Sequence, residues 1–241
     1  MTRKLINLSS KIIDFIILVL LISMLAYGIY SIYSSYAIID NAKLSDDMIH
    51  LKPIGNDFND KLPELREFDE NIFSWLVLDG TKIDHPVVQG KDNIEYLKKD
   101  YKGNYSVSGA IFLDYRNNKD FSDSYSIIYG HHMEKSVMFG DLEKYREKDF
   151  FDTNKTGKIY LENKTLDLEI FACIVVSSKD QNIFSVDKNY TGSNARRIQY
   201  ISQHALYYNG TDIDENSKIV AFSTCIGDTV TDRIVVFAKI I

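Results

Sequence analysis

The chain has few of the residues that build cross-linked or metal-held folds. Only 2 of its 241 residues are cysteine and only 3 are proline. Two cysteines exclude a disulfide framework and a multi-thiolate metal site. The sequence also contains no glycine-rich phosphate loop, no HExxH motif and no CxxC motif. We therefore expect neither a cofactor nor a bound metal.

Positive charge is scarce as well. The chain has 28 Lys and Arg residues against 34 Asp and Glu residues, which gives a formal net charge of −6. Proteins that bind nucleic acid need a basic surface, so nucleic acid is not an expected partner. The length and the 45% hydrophobic content suit one globular domain plus an appendage.

The appendage lies at the amino terminus, where charged residues are missing from Phe15 to Ile39. About 20 apolar residues in a helix cross a bilayer's hydrocarbon core. We predict a cytoplasmic amino terminus over residues 1–11 and a single transmembrane helix over 12–36. Basic residues precede this run and acidic residues follow it, so the positive-inside tendency places the rest of the chain outside the cell. A cleaved signal peptide is the competing interpretation, although its apolar core usually has only about 7–15 residues.

Residues 37–72 read as a juxtamembrane segment with helical character, and strand signals dominate from Phe73 onward. Asp79-Gly80 predicts a hairpin between two short strands. Period-2 alternation over 166–174 predicts one strand face that carries Leu166, Leu168, Ile170, Ala172 and Ile174. Residues 193–210 have the caps and apolar spacing of a helix. Many short strands with one inserted helix indicate a closed or nearly closed β-barrel.

Candidate chemistry gathers around the last two predicted strands, Ile219–Cys225 and Arg233–Ile240. The loop IGDTVTD joins them, so an antiparallel pairing sets Cys225 opposite Arg233 at one end of the sheet. A cation beside a thiol favours the reactive thiolate, and a guanidinium can also hold an oxyanion. Buried packing of Cys225, or a disulfide with Cys173, remains open, whereas Cys173 itself lies in mid-strand and reads as inert packing.

Thiol chemistry on an amide also needs a proton donor, and histidine titrates in the useful range. One of the five histidines, His131, follows the apolar stretch SIIYG at a strand end, with His132 directly after it. Taken alone, any of the five is more often a structural or surface residue than a catalyst. The residues by themselves therefore leave the assignment of the histidine open.

The motifs taken together resemble the class B sortases, which are membrane-anchored cysteine transpeptidases of Gram-positive bacteria. They are WLVLDGTKIDHPVVQG (75–90), SGAIFLDYRN (108–117), IIYGHHMEKSVMFGDLEKY (127–145) and FSTC (222–225) followed by Arg233. The resemblance implies a catalytic barrel of eight strands over 73–241, with amino-terminal helices and one helix before the cysteine strand. One departure is Phe222, where related enzymes more often have leucine; this change concerns packing.

Carried over to this sequence, the resemblance implies that His131, Cys225 and Arg233 are catalytic and that Ser223 and Thr224 bind substrate. It implies cleavage of a carboxyl-terminal sorting signal of secreted proteins after threonine, through a thioacyl intermediate on Cys225. A peptidoglycan amine then accepts the acyl group. Partners are accordingly sorting-signal proteins, a peptidoglycan precursor or crossbridge, and the cell membrane. The alternatives are a pilus-type sortase that joins subunits, which the end of the chain after its last strand disfavours, and a non-enzymatic, membrane-anchored binding module.

Overall fold

The computed structural model describes residues 2–55, 58–186, 194–210, 212–226 and 229–241, without the side chains of 2–10, 225, 226, 229 and 230. The chain divides into two compact units, Met1–Asp40 and Asn41–Ile241. The first unit is formed by helix α1, Thr2–Asn41. The helix is long and apolar enough to cross a membrane, and none of the residues in its most apolar window is buried. A span of this kind agrees with the expected anchor, whose limits and orientation remain predictions.

The second unit contains eleven strands within the described residues. They are β1 Ile72–Leu78, β2 Asp84–Val88, β3 Phe112–Leu113, β4 Tyr125–Tyr129, β5 His132–Met133, β6 Val137–Met138, β7 Thr156–Tyr160, β8 Thr165–Ser177, β9 Tyr207–Tyr208, β10 Ile219–Ile226 and β11 Thr229–Ile240. Its α-helices are α2 Asp46–Ile49, α3 Leu62–Leu65, α4 Lys148–Thr153, α5 Gln181–Phe184 and α6 Asn194–His204. Three 3-10 helices occupy Glu95–Leu97, Glu134–Ser136 and Gly140–Arg146.

Eight of these strands close into a barrel. Their order is β11-β10-β4-β3-β2-β1-β7-β8, and pairing between β8 and β11 completes the circle. The β2–β3 and β4–β10 pairs are parallel, and the other pairs around the barrel are antiparallel. The β2–β3 contact is the shortest of these pairings, with Val88 and Phe112 as its register pair. The closed eight-stranded barrel expected from the resemblance is therefore confirmed.

Alternate residues of the barrel strands face two different hydrophobic clusters. On β10, Val220 and Phe222 belong to the cluster inside the barrel, while Ile219 and Ala221 belong to an outer cluster that includes Ile201 of α6. A third cluster joins helices α2 and α3 to the barrel wall at β1. It contains Met48 of α2, Leu62 and Leu65 of α3, and Trp75 of β1. The helix before the cysteine strand thus packs on the outside of the wall that contains β10 and β11.

The Asp79-Gly80 hairpin is confirmed, although its connection is longer than a two-residue turn. β1 and β2 pair antiparallel, and Leu78 N–H donates to the Ile83 carbonyl at 3.0 Å. Gly80 has a φ of +73°, and a Cβ there would lie 1.7 Å from Asn154 Oδ1. The positive φ favours glycine at this position, and any larger residue would also require the Asn154 side chain to move.

The predicted single apolar face of β8 is wrong. Ala172 lies opposite Phe237 and Ile170 lies opposite Ala238, so Phe171 is an extra residue without a register partner in β11. This bulge reverses the alternation, because one inserted residue moves all that follow to the other face. Leu166, Leu168 and Ile170 consequently contact the inner cluster, whereas Ala172 and Ile174 lie in the outer one.

The helix predicted over 193–210 is shorter in the structure. Helix α6 ends at His204, and Tyr207 and Tyr208 form β9 against Cys173 and Ala172 of β8. Aromatic residues favour such an extended, half-buried pairing over a helical end. Residue 193 lies outside the described residues. The two final strands are longer than predicted and reach Ile226 and Thr229, which shortens the loop between them.

Candidate functional site

Three neighbouring strands bring the predicted catalytic positions together. Cys225 is the register partner of Arg233 across β10 and β11. On the other side of β10, Ser223 is the partner of Tyr129 in the parallel pair with β4. Cys225 lies two residues beyond Ser223 in β10, and His131 lies two residues beyond Tyr129, where β4 ends. The three predicted positions therefore occur at the same end of three neighbouring strands.

The turn that begins after β4 is set by close packing around Gly130. Its N–H donates to the Ser223 carbonyl at 3.2 Å, which extends the β4–β10 pairing by one residue. A Cβ on residue 130 would lie 2.8 Å from the Phe139 ring. The His131 carbonyl then accepts from Phe139 N–H at 3.1 Å. A glycine directly before the histidine thus lets the chain turn tightly beside β10.

The His131 ring is half-buried, and its orientation is fixed by one backbone group. Nε2 lies 2.8 Å from the Leu97 carbonyl oxygen. A carbonyl oxygen can only accept, so Nε2 carries a proton and donates it in this hydrogen bond. In the neutral ring Nδ1 is then the unprotonated nitrogen. The sequence did not predict a role for Leu97. Its contact uses the backbone carbonyl, which every residue type has, so no sequence pattern could have indicated it.

Arg233 is partly buried beside the loop between β10 and β11. Its Nη1 donates to the Asp232 carbonyl at 3.1 Å. A guanidinium has five N–H donors in a fixed fork. The side chain of Cys225 is outside the described part of the structure, and Asp228 lies in the undescribed residues of the loop.

Ser223 and Thr224 have nearly inaccessible side chains, each with 2% exposed. Among the residues that the structure describes, neither hydroxyl has a hydrogen-bond partner. Their predicted contact with substrate stays a prediction. Their burial directly before Cys225 does show that this end of β10 is tightly covered.

The other histidines lie in different surroundings. His132 Nε2 is 3.0 Å from Glu143 Oε2, on the hairpin formed by β5 and β6. His85 is buried in β2, and burial, partly offset by the nearby Asp84 charge, lowers its pKa to about 4. His204 stacks on Tyr200 in α6, and His50 is the exposed residue that ends α2. Of the five, His131 is the one that follows β4 at the same end of the wall as Cys225.

Cys173 is a fully buried free thiol in the inner cluster of the barrel. Burial raises its pKa to about 12, and the more distant charge of Arg146 offsets this only in part. A thiol that stays protonated and inaccessible is a poor nucleophile. The predicted inert packing of Cys173 agrees with this environment.

A buried network lies beneath the end of β4. Asp114 has no exposed side-chain surface, and both its oxygens accept from Arg116 at 2.8 Å. The Tyr129 hydroxyl donates to the same carboxylate at 3.2 Å, and Asn93 Nδ2 donates to it at 2.8 Å. Burial by itself raises the pKa of Asp114, but the hydrogen bonds from Arg116 and Asn93 outweigh it and lower the pKa. The network anchors β4 two residues before His131.

The chain is similar to known proteins over most of its length. The family model described as the sortase domain matches residues 76–241. Sortase B of Listeria monocytogenes is 32% identical over 192 residues, which cover 78% of this chain and 77% of the relative. Sortase B of Staphylococcus aureus is 31% identical over 184 residues, with 73% of each chain covered.

Solved structures give the same result. A class B sortase of Streptococcus pyogenes involved in pilus biogenesis has a TM-score of 0.69 at 38% identity, over 74% of this chain and 97% of the other. A substrate complex of Staphylococcus aureus sortase B has a TM-score of 0.69 at 28% identity, with 75% and 84% covered. The chain belongs to the sortase family of transpeptidases, and its relatives identify it as a class B sortase.

Proposed function

We propose that this protein is a cysteine transpeptidase that attaches secreted proteins to the cell wall, with His131, Cys225 and Arg233 as its catalytic residues. The observation that carries the proposal is the alignment of these three positions across β4, β10 and β11 in a sortase-family barrel. Residues far apart in sequence meet there, and their types suit nucleophile, proton carrier and oxyanion donor.

In the first half-reaction, the Cys225 thiolate attacks the carbonyl carbon of a threonine in the sorting signal. The carbonyl electrons move onto oxygen, and the Arg233 guanidinium stabilises the oxyanion by charge-assisted hydrogen bonds. Collapse of this tetrahedral intermediate breaks the C–N bond. His131 enters this step as an imidazolium whose second proton, on Nδ1, came from the Cys225 thiol. Nδ1 gives that proton to the departing amine, and a thioester on Cys225 remains.

In the second half-reaction, a peptidoglycan amine attacks the thioester carbonyl. His131 takes the proton that the amine loses, and the new amide bond forms as the thiolate leaves. The Nε2–H···O bond to Leu97 supports this role, because it leaves Nδ1 as the nitrogen that exchanges protons. Ser223 and Thr224 shape the groove for the sorting signal in this proposal.

Helix α1 supports a location in the cell membrane. We assign the span to residues 12–36, the amino terminus to the cytoplasm and the barrel to the outer surface, since basic residues precede the apolar run. Secreted substrates and lipid-linked wall precursors both reach the outer leaflet. An anchored enzyme would therefore meet both reactants at one surface.

The test uses the full chain in detergent micelles with a library of quenched peptides that contain a fixed threonine, plus an amine acceptor. We expect cleavage after threonine, an acyl-enzyme mass on Cys225 and a product joined to the amine. Cys225→Ala should abolish all three, whereas the matched control Cys173→Ala should retain them. No turnover by the wild type across the library, or full turnover by Cys225→Ala, would contradict the proposal.

Subunit polymerisation is a second candidate, favoured by one observation. The Streptococcus pyogenes structure that is 38% identical to this chain is a class B sortase involved in pilus biogenesis. The two functions differ in the accepting amine. Offering the acyl-enzyme a lysine-containing protein and a peptidoglycan crossbridge peptide in competition distinguishes them, since the physiological acceptor should be used at the lower concentration.

A further inference from the structure

We infer that Tyr96 and Asp69 are positioning residues, which hold the Leu97 carbonyl against the His131 ring and thereby fix which ring nitrogen is presented to the reacting groups. The inference deepens the proposed function and relies on it for the catalytic part of the test. Its structural part concerns the ring itself and can be measured without any substrate.

The carbonyl that orients His131 belongs to a segment with little stability of its own. Leu97 ends the 3-10 helix Glu95–Leu97, where its N–H donates to the Ile94 carbonyl at 3.1 Å. Such single turns have poor hydrogen-bond geometry and depend on outside contacts to keep one position. A fixed 2.8 Å contact between Leu97 O and His131 Nε2 therefore needs an anchor.

Tyr96, the neighbour of Leu97, supplies that anchor. Its ring is fully buried, and its hydroxyl donates to Asp69 Oδ2 at 2.7 Å. Lys99 Nζ lies 3.3 Å from the same oxygen and 3.4 Å from the Tyr96 hydroxyl. A hydrogen bond to a carboxylate is stronger than one between neutral groups, and burial strengthens it further.

Asp69 is itself tied to the barrel. Its Oδ1 accepts from the backbone N–H of Asn71 at 2.9 Å and from Asn71 Nδ2 at 3.0 Å. Its carbonyl accepts from Ile72 N–H, the first residue of β1, at 3.0 Å. The carboxylate thus connects the barrel wall at β1 with the 3-10 helix that carries Leu97.

Gly109 confines the same segment from the other side. Its φ is +59°, and a Cβ there would lie 2.4 Å from the Tyr96 carbonyl oxygen and 2.9 Å from that of Leu97. The next residue, Ala110, donates its N–H to the Tyr96 carbonyl at 3.0 Å. The backbone at Gly109 and Ala110 on one side and the Tyr96–Asp69 pair on the other thus restrict the segment that carries the Leu97 carbonyl.

The position of the Leu97 carbonyl determines how the His131 ring is oriented. While Leu97 O stays in place, the ring keeps its proton on Nε2 and offers Nδ1. If the carbonyl shifts, the ring loses this partner and samples other rotamers, so fewer molecules are arranged for proton transfer. Binding of a sorting signal does not require this order, so the effect should fall on kcat and not on KM.

The test compares Tyr96→Phe, Asp69→Asn and the double variant with the wild-type full chain in detergent micelles. Tyr208→Phe is the matched control, because it removes a hydroxyl that donates to the Gly210 carbonyl at 3.1 Å in another part of the barrel. Lys99→Met perturbs the same cluster at a more exposed side chain and replaces Tyr96→Phe should that variant not fold.

The first measurement is the exchange of the His131 Nε2 proton with water, by NMR of ¹⁵N-histidine-labelled protein without substrate, assigned with His131→Gln. We expect exchange at least about tenfold faster in Tyr96→Phe and Asp69→Asn. The second measurement is turnover, where kcat should fall about three- to tenfold with KM within about twofold, the scale of one lost hydrogen bond. The double variant should be no worse than the stronger single one.

Unchanged proton exchange in both single variants would overturn the inference, as would equal acceleration in Tyr208→Phe. A lowered kcat without any change at the ring would also overturn it, because the effect would then not pass through His131. Faster ring exchange in a protein whose wild type turns over no peptide would support the positioning and count against the proposed function alone.

Discussion

Cys225 and Arg233 are directly opposed on β10 and β11, although they are eight positions apart in sequence. Antiparallel register partners place their Cα atoms about 4.5–5.5 Å apart. Because the two residues are opposed in the register, the Arg233 side chain is within reach of residue 225, where a guanidinium favours thiolate and can meet an oxyanion that forms beside it.

The first prediction concerns the shape of the cation at residue 233. Arg233→Lys keeps the positive charge but loses the planar fork of donors, so we expect kcat/KM to fall about 100-fold or more. Peptide cleavage by the full chain measures the effect. Arg66→Lys, at a surface pair with Glu162, is the control and should leave cleavage unchanged. Undiminished activity of Arg233→Lys would show that charge alone suffices.

The second prediction concerns the reactivity of the two thiols. Iodoacetamide near neutral pH should label Cys225 at least about 100-fold faster than Cys173, since Cys173 is buried and its pKa is raised to about 12. Mass spectrometry of the labelled peptides measures the ratio. In denaturant the difference should disappear. If Cys225 were as unreactive as Cys173 in the folded protein, the non-enzymatic binding module would become the better interpretation.

The third prediction concerns pH and His85. The ordinary histidine pKa is near 6.5 and the folded one is about 4, so the unfolded chain binds more protons between these values. The contribution of neutral His85 to stability is complete above pH 6.5 and is lost as the pH falls toward 4. We expect the free energy of unfolding to drop by about 2 kcal/mol between pH 7 and pH 5 from this group.

Urea unfolding of the full chain in micelles measures that drop, and His85→Gln should remove it from the pH dependence. His204→Gln, at an exposed position on α6, is the control and should retain the full drop. The buried Asp69, Asp114 and Asp141 have pKa values lowered below 3.8, so they titrate outside this window. Equal pH dependence in the wild type and His85→Gln would refute the assignment.

The fourth prediction concerns orientation in the membrane. External protease added to intact cells that express the chain should digest residues 41–241 and spare a tag at the amino terminus. Replacing Arg3, Lys4 and Lys11 with glutamate should reduce the fraction of molecules with this orientation, because basic residues are retained on the cytoplasmic side. Breaking the cells open should expose the tag and serves as the control. Digestion of the tag in intact cells would indicate the opposite orientation, with the amino terminus outside the cell.

Many strands of the barrel could be predicted from local sequence patterns. The predicted strands Ile219–Cys225 and Arg233–Ile240 lie within β10 and β11, and the Asp79-Gly80 turn joins β1 and β2. The errors came where tertiary pairing overrides local preference. Phe171 forms a bulge in β8 without a register partner in β11, and Tyr207 lies beyond the end of the helix and pairs with β8.

The candidate site likewise contains residues that the sequence predicts and contacts that only the tertiary structure reveals. A histidine after a glycine, a cysteine at a strand end and an arginine eight residues later can be read from the chain, because they are identities at fixed spacings. The Leu97 carbonyl and its anchor, Tyr96 with Asp69, cannot be read in that way. Every residue has the same backbone carbonyl, so the residue type at position 97 does not reveal this acceptor. The contact between Asp69 and Tyr96 depends on how distant segments pack.

By itself, the amino-acid sequence determined the apolar helix, the β-rich class and the residue types available for chemistry. These properties follow from composition and short-range periodicity. The tertiary structure alone decided that β4 runs parallel to β10 and that β11 closes the barrel against β8. Those pairings join segments more than fifty residues apart, and the free energy that selects them comes from burying whole strand faces together.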